Sequence, residues 1–122
     1  MHTQFYTQKK TFSKYDGGHY LLYLNEKATT KVLEEGEDPV PGFEYTGNFD
    51  DGGTMIKATE ATYDQFVSGL IRTRYSADQV EAILLNIQSD NVERMTEFQQ
   101  ELDTLNAFRE ECKNVIAELL DM

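Results

Sequence analysis

Residues 91–121 read NVERMTEFQQELDTLNAFREECKNVIAELLD, and this stretch decides the fold. Its apolar side chains recur mostly at steps of three and four, which is typical of a stripe along one face of an α-helix. We therefore predict one long amphipathic helix over residues 91–120. The apolar stripe consists of Val92, Met95, Phe98, Leu102, Leu105, Phe108, Cys112, Val115, Ile116 and Leu119.

The predicted helix is long for a chain of 122 residues. At about 1.5 Å of rise per residue it would extend roughly 43 Å, whereas a domain of this size is roughly 35 Å across. We expect part of its apolar face to pack on its own domain and part to bind a second chain, as a helical pair or bundle. The residues assigned to this shared core and interface role are Phe98, Leu102, Leu105, Phe108, Cys112, Val115 and Leu119.

Two shorter helices are predicted before the long one, over residues 62–74 and 77–88. Each follows a sequence that is typical of a helix start, with a Thr, Ser or Asp followed three residues later by Gln or Glu. The three predicted caps are Thr62 with Gln65, Ser76 with Gln79, and Asp90 with Glu93.

The first half of the chain has strand-like composition. About four short antiparallel strands are expected within residues 3–58. The strand-like segments from which they would form are 4–7, 12–15, 19–24, 43–46 and 54–58. Residues 25–38 are polar and predict a loop or a short helical turn, and the two prolines of residues 39–42 predict a connector without regular pairing. The pairs Gly17-Gly18 and Gly52-Gly53 follow aspartates and predict turns with positive φ.

These patterns predict the α+β class: N-terminal antiparallel β-hairpins or a sheet, followed by three helices of which the last is long. We expect a single domain over residues 1–122, with a β-rich part at 1–58 and a helical part at 59–122. A chain of this length can bury a core without disulfides or a metal.

The net charge of −11 is unevenly distributed. Residues 1–58 carry six lysines and nine acids, and residues 59–122 carry five basic and thirteen acidic residues. This surface repels phosphate groups, so neither nucleic acid nor an anionic membrane is an expected partner. Solubility is the simplest reason for the charge, and an acidic face that mimics DNA for a basic protein is an alternative.

The mean hydropathy of −0.57 and the lack of a long apolar run predict no transmembrane helix. The first residues show no basic-then-apolar pattern, so no signal peptide is expected. The single cysteine, Cys112, has no partner for an internal disulfide and is expected to be a small buried apolar residue. We therefore expect an intracellular location.

No catalytic, cofactor-binding or metal-binding residue is predicted. His2 and His19 are far apart in sequence, Cys112 lies in the helical stripe, and no phosphate-binding or nucleophile-elbow motif occurs. The segment 48–53 resembles a calcium loop in part, but the fifth ligand position is Gly52, so a turn is the preferred interpretation. An enzyme that uses Asp50 or Asp51 remains a second alternative.

Two further groups of residues have more than one interpretation. The aromatic residues on predicted strands are expected to fill the core or a sheet face, with a surface for a sugar or peptide as the alternative; they are Tyr15, Tyr20, Tyr23, Phe43 and Tyr45. Arg72 and Arg74 are expected to offset a helix dipole and to pair with acidic helices.

Three segments carry a family resemblance: residues 51–56 (DGGTMI), 69–79 (GLIRTRYSADQ) and 107–113 (AFREECK). Together they resemble a family of small uncharacterised phage and prophage proteins from Bacteroides-type bacteria. The helical part is also similar to the C-terminal segment of phage tail-fibre assembly proteins, in which an Arg-Tyr helix start precedes an aromatic-Arg helix. The resemblance implies a virion-associated or assembly protein, located in the cytoplasm of a bacterial host cell or in a virion, and it identifies no catalytic residue.

The expected function is therefore that of a non-enzymatic phage or prophage structural or assembly accessory protein. It would act through protein–protein contacts and homo-oligomerisation by the C-terminal helix. The first alternative is an acidic decoy that occupies a nucleic-acid-binding protein, and the second is the small enzyme named above.

Overall fold

The change from strand-like to helix-like spacing near residue 60 corresponds to a boundary in the structure. In the computed structural model, which describes all of residues 1–122, the chain divides into two units, residues 1–61 and 62–122. The first unit is built from strands and the second from helices, which confirms the predicted α+β class. The boundary lies three residues after the predicted one. That the two units form a single domain stays a prediction.

The first unit contains six strands, where about four were expected. They form two antiparallel sheets of three strands, in the orders β1-β5-β4 and β2-β3-β6. The strands are β1 (His2–Tyr6), β2 (Phe12–Asp16), β3 (His19–Leu22), β4 (Lys27–Lys31), β5 (Val40–Gly47) and β6 (Thr54–Lys57).

The prediction of a loop over residues 25–38 was wrong for its first part, where β4 forms. This strand pairs with β5 from Lys27 opposite Glu44 to Lys31 opposite Val40. Its polar sequence suits an edge strand, because lysines at an edge discourage pairing with another chain. The pairing that creates it is distant in sequence, so local composition gives no sign of it.

The prediction of an unpaired connector at residues 39–42 was also wrong. Pro41 lies inside β5, opposite Thr30 of β4. Strand β1 pairs only with residues 43–47 of β5, so Pro41 lies where β5 has a single neighbour. A proline is tolerated in a strand at such a position because its missing N–H leaves no bond unmade on the open side.

The two glycine pairs differ from expectation. Of these four glycines only Gly52 has a positive φ, of 86°. A Cβ at Gly52 would also lie 2.7 Å from the carbonyl oxygen of Tyr45. Both the positive φ and the lack of space for a side chain therefore require glycine at this position. The turn after β2 is made differently: the Asp16 carboxylate accepts a hydrogen bond of 2.8 Å from the N–H of Gly18.

The core of the first unit is largely aromatic. Leu21, Tyr23 and Tyr45 are buried at its centre, with exposed fractions of 7% or less. Partly buried apolar side chains pack around them, namely Tyr6, Phe43, Phe49 and Met55. Strands β3 and β5 supply two of the three central residues, and Tyr23 follows β3 directly.

The second unit consists of three α-helices, as predicted. They are α1 (Tyr63–Ile71), α2 (Ala77–Ile87) and α3 (Met95–Leu119), and α3 packs against both of the others. Two predicted caps are present. Thr62 Oγ1 accepts a hydrogen bond from the N–H of Gln65, and Ser76 and Gln79 form a complete capping box.

The third predicted cap, Asp90 with Glu93, was wrong. The chain enters α3 through a short 3₁₀ turn, Val92–Arg94, and no side chain caps either segment. The turn is closed instead by the backbone, since the N–H of Val92 donates to the carbonyl oxygen of Asp90. The α-helix therefore begins at Met95 and has 25 residues, or about 38 Å of length.

Candidate functional site

The apolar stripe of α3 is mostly covered within the second unit. Phe98, Leu105, Phe108 and Cys112 have exposed fractions of 8% or less. The other three assigned residues, Leu102, Val115 and Leu119, are half-buried. Because α1 and α2 both pack on α3, the stripe forms the core of this unit. Its share in an interface with another chain stays a prediction.

The junction between α1 and α2 packs over the middle of this stripe. The guanidinium carbon of Arg74 lies 3.9 Å from the centre of the Phe108 ring, and the Tyr75 ring lies 5.8 Å from it. Arg74 was expected to pair with acidic helices, but it stacks on an aromatic ring and forms no salt bridge. The planar guanidinium suits this contact because it is weakly hydrated.

Cys112 lies on the same face of α3 and is 2% exposed. Burial, and secondarily the charge of Glu111, raises the pKa of its thiol to about 11. The thiol is thus protonated at neutral pH and a weak nucleophile. This position matches the expectation of a buried apolar residue.

Apolar side chains that remain exposed occur on α2 and on the segment after it. No residue of α2 is buried, although the helix is amphipathic. Leu84 and Leu85 are 47% and 56% exposed, and Val92 is 83% exposed. Sequence reasoning placed the interface on α3 instead, because the spacing on α2 is equally compatible with a covered helix.

A groove of about 290 Å³ lies between α2 and α3. Tyr75 and Ile83 form its apolar part, and Glu97, Gln100, Glu101 and Thr104 form its polar part. Glu97 is paired with Arg94 at 3.0 Å, and this hydrogen-bonded guanidinium lowers the pKa of the Glu97 carboxyl. The groove is thus apolar on the α2 side and polar on the α3 side.

The acidic residues of the second unit are nearly all at the surface. Of the twelve acidic residues in 62–122, only Glu101 is not exposed. Only Glu97 and Glu110 are in salt bridges, with Arg94 and Lys113 respectively. Most of this negative charge therefore faces solvent without a cationic side chain beside it.

The segment Asn48–Gly53 is a turn, as the preferred interpretation had it. The Asp51 carboxylate accepts hydrogen bonds from the Gly53 N–H at 2.9 Å and from the Tyr23 hydroxyl at 2.7 Å. Asn48 Oδ1 accepts a hydrogen bond from the N–H of Met55. Of the two side chains that match calcium-loop ligand positions, Asn48 thus bonds to the backbone of β6, whereas Asp50 is 90% exposed.

Three tyrosines and one lysine form a second notable cluster, in the first unit. The ring centres of Tyr6, Tyr23 and Tyr45 lie 5.8 to 6.2 Å from one another. Lys10 Nζ lies 4.2 Å from the centre of the Tyr6 ring and 4.4 Å from that of the Tyr23 ring. We call this arrangement of three tyrosines the tyrosine cage.

Each hydroxyl group of the tyrosine cage donates a hydrogen bond, two of them to carboxylates. Tyr23 donates to Asp51, and Tyr45 donates to Glu26 Oε1 at 2.7 Å. Tyr6 donates to the carbonyl oxygen of Asp51 at 2.5 Å. Burial, followed by the hydrogen bonds to carboxylates, raises the pKa of Tyr23 and of Tyr45 to about 12. The phenols therefore stay protonated at neutral pH.

Sequence reasoning identified only part of this cluster. Tyr23 and Tyr45 were expected in a core or on a sheet face, and the core is where they lie. Tyr6 and Lys10 were not singled out, because the contact of Lys10 with the rings depends on how the β1–β2 loop folds back. Composition carries no signal for that geometry.

Comparison with protein-family models, with curated proteins and with solved structures gives no match for this chain. None of its helices combines the length and the apolar character that crossing a membrane requires.

Proposed function

We propose that this chain is a non-enzymatic structural or assembly accessory protein of a phage or prophage. It acts by protein–protein contacts of its helical unit and forms homo-oligomers. The observation that supports this proposal is the exposed apolar surface of α2 and the following segment, formed by Leu84, Leu85 and Val92. An amphipathic helix without a single buried residue gains stability when a further surface covers it.

The partner at this surface is a second copy of the chain. A two-fold interface places the same patch on both subunits, so Leu84 and Leu85 of each copy would meet their equivalents. Two copies that each carry a charge of −11 repel one another. Association therefore strengthens as salt is added, because screening reduces the repulsion while leaving the apolar contact intact.

Light scattering over a range of protein and salt concentrations tests this proposal. We expect a mass of twice 14.0 kDa at high concentration, and a monomer for Leu85→Glu and Leu84→Glu. Ser68→Glu is the matched control, since it adds the same charge at an exposed position of α1, away from Leu84 and Leu85, and should leave the dimer intact. A wild-type monomer under all conditions would contradict the homo-oligomer. Neighbouring genes for tail or capsid proteins would support the assembly role.

The exposed acidic residues of the second unit favour one second candidate, an acidic decoy for a nucleic-acid-binding protein. Only two of the exposed carboxylates are in salt bridges, so the unit presents a dense negative surface. Binding to a basic protein would weaken steeply as salt is added, which is opposite to the salt dependence of the dimer. Titration with a basic DNA-binding domain at two salt concentrations distinguishes the candidates.

A further inference from the structure

The tyrosine cage has the geometry of a cation-binding site. The Tyr6 and Tyr23 rings meet at an interplanar angle of 76°, so they form two walls nearly at right angles. The ammonium of Lys10 lies over both rings, within the distance at which a cation is attracted by an aromatic face. Tyr45 forms the buried end of the site, since it packs against both other rings and is fully buried.

The hydrogen bonds of the cage strengthen its attraction for a cation. Tyr23 and Tyr45 each donate to a carboxylate, and a phenol that donates to an anion has a more electron-rich ring. The carboxylates of Asp51 and Glu26 also add negative charge near the site. Both effects favour a positive group between the rings over a neutral group of the same size.

Tyr6, one wall of the site, and Lys10 reach the protein surface. Tyr6 and Lys10 are only half-buried, and both line a surface depression of about 480 Å³ formed by residues 6–12. The Lys10 side chain can therefore leave the rings without unfolding the sheets. Its ammonium is strongly hydrated, so moving it from the rings into water has a low cost.

We propose that the tyrosine cage binds quaternary ammonium groups, such as those of choline or trimethyllysine, and that Lys10 occupies it until such a group displaces it. A quaternary ammonium has no N–H groups that must give up water, so it loses less hydration than Lys10 on entering the cage. Aromatic cages bind this class of ligand for that reason. The site lies in the first unit and is independent of the helical surface proposed above.

Proton NMR of the wild-type protein titrated with choline tests the proposal directly. The N-methyl resonance of choline should move upfield, because the ring currents of Tyr6 and Tyr23 shield it. The ε-methylene protons of Lys10 should start upfield and move towards ordinary values as choline displaces them. The uncharged isostere 3,3-dimethylbutan-1-ol should cause neither change.

Variants distinguish choline binding in the tyrosine cage from non-specific attraction of cations to the acidic protein. Lys10→Gln should raise the affinity for choline roughly tenfold, the factor expected if Lys10 fills the site about 90% of the time. Lys57→Gln removes the same charge at an exposed position of β6 that contacts neither the rings nor the carboxylates of Asp51 and Glu26, so it should leave the affinity unchanged. Tyr6→Leu should abolish binding, whereas Tyr6→Phe retains the ring and should bind.

Three results would overturn the proposal: no choline binding by Lys10→Gln, equal binding of the uncharged isostere, or an equal gain in Lys57→Gln. The amide spectrum of each variant shows whether it is folded. Should Lys10→Gln fail to fold, the wild-type displacement of the Lys10 signals decides the outcome alone. Trimethyllysine titrated in parallel shows whether a protein side chain or a free choline compound binds more tightly.

Discussion

Two adjacent aspartates in the turn before β6 show how much a single position changes the role of a residue. The Asp50 side chain is 90% exposed, and its only side-chain partner is the imidazole of His2, at 3.5 Å. Asp51 accepts hydrogen bonds from Gly53 and Tyr23, and thereby joins the turn to the aromatic core. From the sequence, Asp50 and Asp51 are equal candidates for the acidic residue of an enzyme, but in the structure only Asp51 has a structural role.

We expect Asp51→Ala to lower the free energy of unfolding by about 2 kcal/mol, because it leaves the Tyr23 hydroxyl and the Gly53 N–H without their partner. Asp50→Ala is the matched control and should change it by less than about 0.5 kcal/mol. Urea denaturation followed by circular dichroism measures both. Equal effects of the two substitutions would show that the Asp51 hydrogen bonds are unimportant for stability.

At the scale of elements, the three predicted helix caps show that a capping sequence does not by itself produce a side-chain cap. The Ser76 box forms because the chain before α2 is extended, with ψ of 163° at the cap. Asn91, which precedes the 3₁₀ turn, has ψ of 84° and makes no side-chain capping bond. The chain must reach a helix in the right backbone conformation before a side chain can cap it.

Ser76→Ala should lower the free energy of unfolding by about 1 kcal/mol, because it removes the acceptor for the Gln79 N–H. Asn91→Ala serves as the comparison and should alter stability by less than about 0.5 kcal/mol. Thermal and urea unfolding of the two variants gives the difference. A larger loss for Asn91→Ala would mean that the start of α3 is capped after all.

At the scale of the whole molecule, both units bury groups that titrate in the alkaline range. Burial raises the pKa of Tyr23 and Tyr45 in the first unit to about 12, from an ordinary value of 10.0. Burial raises the pKa of Cys112 in the second unit to about 11, from 9.0. In each case the folded protein holds the proton more tightly than the unfolded chain does.

Stability should therefore fall on the alkaline side. The contribution of these three groups is fully present below about pH 9, where folded and unfolded forms are both protonated, and is lost as the pH rises towards about 12. Urea denaturation at a series of pH values measures the loss, and tyrosinate absorbance should show that Tyr6, Tyr23 and Tyr45 ionise at a higher pH than an ordinary tyrosine, because the pKa of each is raised. Constant stability up to about pH 11 would contradict the raised pKa values.

The sequence by itself determined the features that depend on neighbours along the chain. The helical spacing of residues 63–87 and 95–119, the capping box at Ser76 and the turns after Asp16 and Asp50 are local, so one sequence is enough to predict them. The α+β class follows from the same signals. They also gave the correct order of strands before helices.

The tertiary structure alone decided which distant segments meet. Strand β4 and the place of Pro41 in β5 depend on pairing between residues 9 to 17 positions apart in sequence. The contact of Lys10 with Tyr6 and Tyr23 depends on a loop that folds back over two strands. The stripe of α3 has the spacing of an interface and of a core alike, and only the packing of α1 and α2 against it showed that most of it is core. Spacing reports the face on which a side chain lies, whereas what covers that face is fixed by contacts between elements.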